Sequence, residues 1–252
     1  MKILITFALS PEFAPWRRLR EFQPVHYGGL PAWAAQLGSA ELRVALTGMG
    51  PHHAVRTVST LLADRPDFVI SAGLCGSLRP QHRPGEVLVA RALSSSGTSK
   101  MLRADESLLQ FAAASGARPV ELFRSSDTLV RSPEEKVMLA PLAHAADMES
   151  YAILEQAAAH RIPAVAIRAV SDAHDQSLPY DFARALDSRG HLSLVRLLGH
   201  VARRPHRLPE LIRLGRSSRA AASALADFLD QFLTAWVACT APFDRPCEVA
   251  AT

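Results

Sequence analysis

The chain has 252 residues, enough for one large domain or two small ones. Its 48% hydrophobic and 21% charged residues exclude a disordered, collagen-like or fibrous chain, and no apolar run reaches the roughly 20 residues of a membrane-spanning helix. The net charge of +4 rests on 28 basic residues, of which only Lys2, Lys100 and Lys136 are lysines, and this arginine excess raises the question of a nucleic-acid partner.

In chain order, Ile3–Leu9 reads as a first strand, too short and too β-branched for a signal peptide, so the expected address is the cytoplasm. Leu42–Thr47, Phe68–Ala72, Val87–Ala90, Val120–Phe123 and Ala164–Val170 are further short apolar runs. Their near-continuous hydrophobicity is that of strands buried on both faces. Amphipathic helices lie between them: His52–Ala63, a helix opened by Ser132-Pro133-Glu134-Glu135 with a capping-box pattern, and Met148–His160, closed by Arg161-Ile162-Pro163. Strands alternating with helices predict an α/β fold, a twisted mixed β-sheet flanked by helices, as a single domain. From Ser188 the chain turns rich in Arg, His and Leu, broken by Pro205 and Pro209. A last helix is expected after Gly215, with Leu225, Phe228, Leu229, Phe232 and Trp236 on one face. The expected division is therefore an α/β domain over 1–187, a basic helical extension with the final packing helix over 188–239, and a loose tail over 240–252. Cys75, Cys239 and Cys247 have no metal-ligand spacing, which argues against a disulfide framework or a metal site, and no cofactor is expected.

Four clusters fall at predicted strand ends, where open α/β sheets bind ligands. They are Glu12 after the first strand, the glycine turns Thr47-Gly48-Met49-Gly50 and Ala72-Gly73-Leu74-Cys75-Gly76, the helix opening Asp147-Met148-Glu149, and Arg168-Ala169-Val170-Ser171-Asp172 followed by Asp175. Taken singly, each has an ordinary structural explanation: glycines make turns, Asp147 or Ser171 can cap a helix, and Glu12 can be a solvated loop residue. All four in this order in one chain carry the argument.

With Asp147-Met148-Glu149-Ser150 and the Arg168–Asp172 run in place, the sequence resembles the nucleoside phosphorylase superfamily, in particular its methylthioadenosine/adenosylhomocysteine nucleosidases. The likeness runs from Met1 to about Phe182. It implies that Asp172 donates a proton to N7 of a departing purine and that Glu12 positions and deprotonates the attacking water. Glu149 would hold the ribose hydroxyls, with Met148 and Met49 packing on the sugar. Leu129, Val130, Gly73 and Ser171 would form the base pocket. Such residues suit the chemistry, because cleaving an N-glycosidic bond builds positive charge on the sugar and negative charge on the base. The resemblance further implies a purine nucleoside, most readily an adenine one, as substrate and a dimer or hexamer as the assembly.

Many superfamily phosphorylases place an arginine before the glycine turn and a serine within it. Those positions match Ser71 and Leu74 here, so water is expected as nucleophile rather than phosphate. Phosphorolysis stays as the alternative, and a nucleoside-binding protein without catalysis is the rival of another class. Leu178-Pro179 and Arg203–Leu211 are similar to the hopanoid-associated branch, whose members release adenine from adenosylhopane. That likeness implies a possible peripheral membrane contact through 188–219. Residues 184–219 hold nine arginines against Asp187 and Glu210, so the basic character is local. The 188–219 stretch has no Phe, Tyr or Trp to stack on bases, and no nucleic-acid partner is expected.

Overall fold

The computed structural model describes residues 1–178 and 208–240. Strand β1 (Lys2–Phe7) leads directly into α1 (Ser10–Leu19), and β2 (Gln23–Tyr27), β3 (Leu30–Leu37) and β4 (Ala40–Leu46) follow as an antiparallel run. Then come α2 (Pro51–Leu61) with a 3-10 turn at Leu62–Asp64, β5 (Phe68–Ser77), β6 (Val87–Ser95), β7 (Thr98–Arg103), α3 (Glu106–Ala114) and β8 (Arg118–Ser125). The order closes with α4 (Pro133–Leu139), β9 (Ala145–Asp147), α5 (Ser150–Ala159), β10 (Ala164–Asp172) and α6 (Leu208–Thr240).

All ten strands join one mixed sheet, in the order β10-β6-β8-β9-β5-β1-β4-β3-β2, with β7 beside β6. Because β10 also pairs with β5, the strands β10, β6, β8, β9 and β5 close on themselves, and β1 to β4 extend from that ring as an open wing. The chain alternates its side chains between two cores. Ile3, Ile5, Phe7, Ile70, Val165 and Ile167 face one, covered by α1, α3 and α6. Leu4, Val69, Ala166 and Val170 face the other, covered by α2 and α5. Both faces of these strands are dry, which is why they read as unbroken apolar runs rather than alternating ones. The predicted single α/β domain with a mixed sheet is the observed fold, and α6 packs on the same core as the sheet.

Several boundaries differ from the sequence reading. Gly73 and Gly76 lie inside β5, not in a turn after it, and both pair with β10. The strand tolerates them because large side chains occupy the space a Cβ would take: Nη1 of Arg168 would stand 3.0 Å from one at Gly73, and Oδ2 of Asp172 3.0 Å from one at Gly76. The last helix begins at Leu208, not after Gly215; Pro209 falls in its first turn, where a missing N–H costs nothing. The β2–β3 hairpin, α1, α3, β7 and β9 have weaker periodicity and were not anticipated. The hairpin turns on Gly28 and Gly29, both at positive φ, as a two-residue turn of matching twist requires. The proposed basic tract over 188–207 and all but the first residue of the 240–252 tail lie outside the described residues. Among the described residues no helix is long and apolar enough to cross a membrane.

Candidate active site

A cavity of about 620 Å³ opens at the carboxyl ends of β1, β5 and β10. Strand β5 ties its two ends together, because Leu74 contacts one carboxylate and Gly76 abuts another. Most of the cavity wall is apolar, and the polar groups gather in two clusters.

The first cluster is built around Arg168 in the middle of β10. Its Nε donates to Oδ2 of Asp147 at 2.8 Å and one Nη donates to Ser71 Oγ at 3.0 Å, while Nη1 is buried without a hydrogen-bond partner. Burial opposes its charge, but Asp147, Glu149 and Glu12 surround it and hold the guanidinium firmly ionised. Asp147 is fully engaged: besides Arg168, it accepts from Ser125 Oγ at 2.5 Å, from the Ser150 amide at 3.2 Å and from Ser150 Oγ. It anchors the arginine and the start of α5.

Glu12 sits in the first turn of α1 with its carboxylate folded back on the chain. Oε2 accepts from the amides of Ala8 and Leu9 at 3.0 and 3.1 Å, and Oε1 accepts from the Leu74 amide at 3.4 Å. Burial pushes its carboxyl above the usual range, opposed by Arg168 and by these three amides. Glu149 stands just before α5, 6% exposed, with Oε1 accepting from the Gly50 amide at 2.7 Å. Burial first, and then the negative charge of Asp147, push it up to about 8. Three acidic groups share one guanidinium at this end of the cavity, an imbalance that helps hold Glu149 protonated up to about pH 8. A cation arriving between Glu12 and Glu149 would relieve that imbalance.

The second cluster is at the end of β10. The pairing of β10 with β5 slips between Val170 and Asp172, and the irregularity aims Asp172 at the cavity. Its Oδ1 accepts from Ser171 Oγ at 2.6 Å, a hydroxyl also 3.1 Å from the Cys75 carbonyl. Its Oδ2 accepts from Nζ of Lys136 at 2.5 Å. Ser217 of α6 donates to the Ser171 carbonyl at 2.8 Å, so the last helix clamps this strand end.

The expected residues therefore largely converge. Glu12, Met49, Leu129, Val130, Met148, Glu149, Ser171 and Asp172 all line the cavity. Gly73 does not; it lies behind the wall and makes room for Arg168. Asp175 is exposed, with His174 Nδ1 at 3.9 Å. Two residues gain weight that the sequence did not give them. Arg168 was visible only as part of a motif, yet its guanidinium organises one whole end. Lys136 went unnoticed because a lysine in a short helix ordinarily faces water; its one signal is that it is among three lysines in a chain that otherwise uses arginine. Among the described residues no group of His, Cys, Asp and Glu is arranged to hold a metal ion.

A family model described as the phosphorylase superfamily matches residues 2–198. A 5'-methylthioadenosine/S-adenosylhomocysteine nucleosidase from Shewanella loihica is 27% identical over 231 residues, covering 80% of this chain and 100% of the relative. Among solved structures, the Campylobacter jejuni 5'-methylthioadenosine/S-adenosyl homocysteine nucleosidase superposes with a TM-score of 0.72 at 16% identity, covering 93% of this chain and 99% of that one. The futalosine hydrolase of Helicobacter pylori gives the same TM-score at 20% identity, over 92% and 97% of the two chains.

Proposed function

The chain belongs to the phosphorylase superfamily, and from that premise we propose that it is an N-glycosidase that hydrolyses purine nucleosides. The observation that carries this reading is the division of the cavity into a carboxylate-rich end around Glu12 and Glu149 and a separate acid, Asp172, with β5 spanning the two. The nucleosidases named above act on this bond, and the superposition on their fold supports the same placement of substrate.

The geometry suits the reaction. As the C1′–N9 bond stretches, the sugar becomes cationic, and Glu12 and Glu149 stabilise it more than they stabilise the neutral substrate. Glu12 takes the proton of the attacking water. Its three amide donors fix the carboxylate in place, and burial keeps it basic enough to accept that proton. Glu149 accepts from the ribose hydroxyls, with Met148 and Met49 against the sugar. Asp172 delivers a proton to N7 of the base, which packs beside Leu129, Val130 and Ser171. Ser71 fills the place where a phosphorylase would need a cationic donor, and its hydroxyl is already engaged by Arg168. This supports water rather than phosphate as the nucleophile.

Two finer points belong to the same proposal. Beyond these groups the cavity is lined by Pro11, Ala14 and Pro15 of α1 and by Leu211 and Leu214 of α6, which suits an apolar 5′ substituent. That fits the likeness to the hopanoid-associated branch. The exposed Val137, Met138 and Leu142 around α4, between 56% and 78% accessible, support self-association, which light scattering would detect.

The test is to follow free adenine from adenosine and from methylthioadenosine, with and without phosphate. Release independent of phosphate is expected, faster with the 5′-alkylthio compound; strict dependence on phosphate would sink the hydrolytic reading. Asp172→Asn and Glu12→Gln should each lower turnover about 100-fold or more with the fold intact. Wild-type turnover in either variant would mean that the role is misassigned.

A further inference from the structure

Among the described residues Lys136 is the one buried cation of the second cluster, and the reaction as described makes no use of it. Its side chain is 1% exposed, yet it lines the same cavity as Asp172. Nζ donates to Oδ2 of Asp172 at 2.5 Å, to the Ala173 carbonyl at 2.6 Å and to the Gln176 carbonyl at 2.9 Å. All three ammonium protons are thus assigned, and one of them points at the carboxylate that must protonate the base.

We propose that Lys136 is the proton reserve of the site, a positioning residue that acts through Asp172. This rests on the reading of Asp172 as the acid toward N7. Two opposite charges buried together are costly to keep dry, and moving one proton across the short contact cancels both. As the C1′–N9 bond breaks and its electron pair moves into the purine, N7 takes the proton on Asp172. That proton is the one that crossed from Nζ, whose N–H bond has broken, so Asp172 ends the step as a carboxylate. Lys136 is left as a neutral amine, and Glu12 holds the proton taken from water. Solvent resets both groups after the products leave. A lysine can give up that proton and an arginine cannot, which explains a lysine at this position in an arginine-rich chain.

Among the described residues, Arg168, Asp147 and Cys75 share the surroundings of the pair, Arg18, Arg219, Glu12 and Glu149 line the same cavity, and His174 and Asp175 follow along the chain; burial holds the Cys75 thiol protonated. None of them touches Asp172 as Lys136 does.

The experiment compares two leaving groups in the full-length protein at pH 8: an adenine nucleoside, which needs a proton at N7, and p-nitrophenyl riboside, which leaves without one. In Lys136→Met, kcat for adenine release should fall about 100-fold or more relative to kcat for the p-nitrophenyl compound, with KM little changed. Adenine release should recover as the pH is lowered and solvent protonates Asp172 directly. Asp172→Asn combined with Lys136→Met should be no slower than Asp172→Asn alone, because the two act as one unit. Lys136→Arg should show the loss without the recovery. Equal losses on both substrates, or wild-type adenine release in Lys136→Met, would overturn the proposal while leaving the hydrolase reading standing. A wild-type protein that releases no base would overturn both.

Discussion

Glu149 ties the site to stability through pH. Its carboxyl is pushed from an ordinary 4.5 up to about 8 in the folded protein, so between those values the native state holds a proton that the unfolded chain releases. Its contribution to stability is full below about pH 4.5, shrinks by roughly 1.4 kcal/mol per pH unit at most, and is gone above about pH 8. The ligand-free protein should therefore melt at a lower temperature at pH 8.5 than at pH 5. Glu149→Gln, which keeps an oxygen for the Gly50 amide, should flatten that dependence and stabilise the protein at pH 8.5 while removing turnover. Glu12 is shifted in the same direction, so part of the slope should survive; an unchanged slope would place its origin elsewhere. Gly76 offers a second test, because a methyl group there would meet Asp172 at 3.0 Å. Gly76→Ala should displace the carboxylate and cut kcat by roughly 10- to 100-fold with a small change in melting temperature. Glu12 and Asp172 were legible because each follows an apolar run, whereas Leu129 and Val130 came from the family resemblance alone. Lys136 was not legible, since nothing local distinguishes a buried helix lysine from a solvated one; only the arrival of Asp172 from 36 residues away does.

At the level of elements, the sequence conveyed the strands with an apolar run and missed the exposed β2, β3 and β7 and the three-residue β9. The β2 strand, with its exposed Gln23, Pro24 and His26, offers no apolar run to find. The extension of β5 past Ala72 was hidden for a different reason. Glycine in sequence signals a turn, whereas here Gly73 and Gly76 give way to Arg168 and Asp172 from the neighbouring strand, a pairing that local sequence cannot express. The capping box of α4 was legible and is present: Ser132 Oγ accepts from the Glu135 amide and Glu135 accepts from the Ser132 amide, both at 3.2 Å. That cap also supports the site, because α4 carries Lys136. Ser132→Ala should cost about 1 kcal/mol in urea unfolding and also lower turnover of adenine nucleosides, whereas a cap remote from the site would affect stability alone.

Across the whole molecule, α1 and α6 form one joint between distant parts of the chain. Trp16 Nε1 donates to Oδ1 of Asp230 at 3.1 Å, Arg20 pairs with the same carboxylate, and Arg20 also donates to Thr234 at 2.8 Å. Phe13, Trp16 and Phe22 pack against Phe7 and Trp33 on the sheet side of that joint. Asp230→Ala leaves the indole N–H and the guanidinium without their acceptor, at a cost of about 1–3 kcal/mol in urea unfolding. Because α1 also carries Glu12, turnover should fall with stability even though Asp230 is remote from the cavity.

The same joint sets an order of events during synthesis. Glu12 leaves the ribosome early, but the helix that braces α1 is made about two hundred residues later, and Leu211, Leu214 and Ser217 reach the cavity and β10 from that same late segment. A nascent chain can assemble much of its sheet and still have no closed site. Activity should therefore switch on only after α6 clears the exit tunnel, so that a chain held on the ribosome short of that point binds no nucleoside.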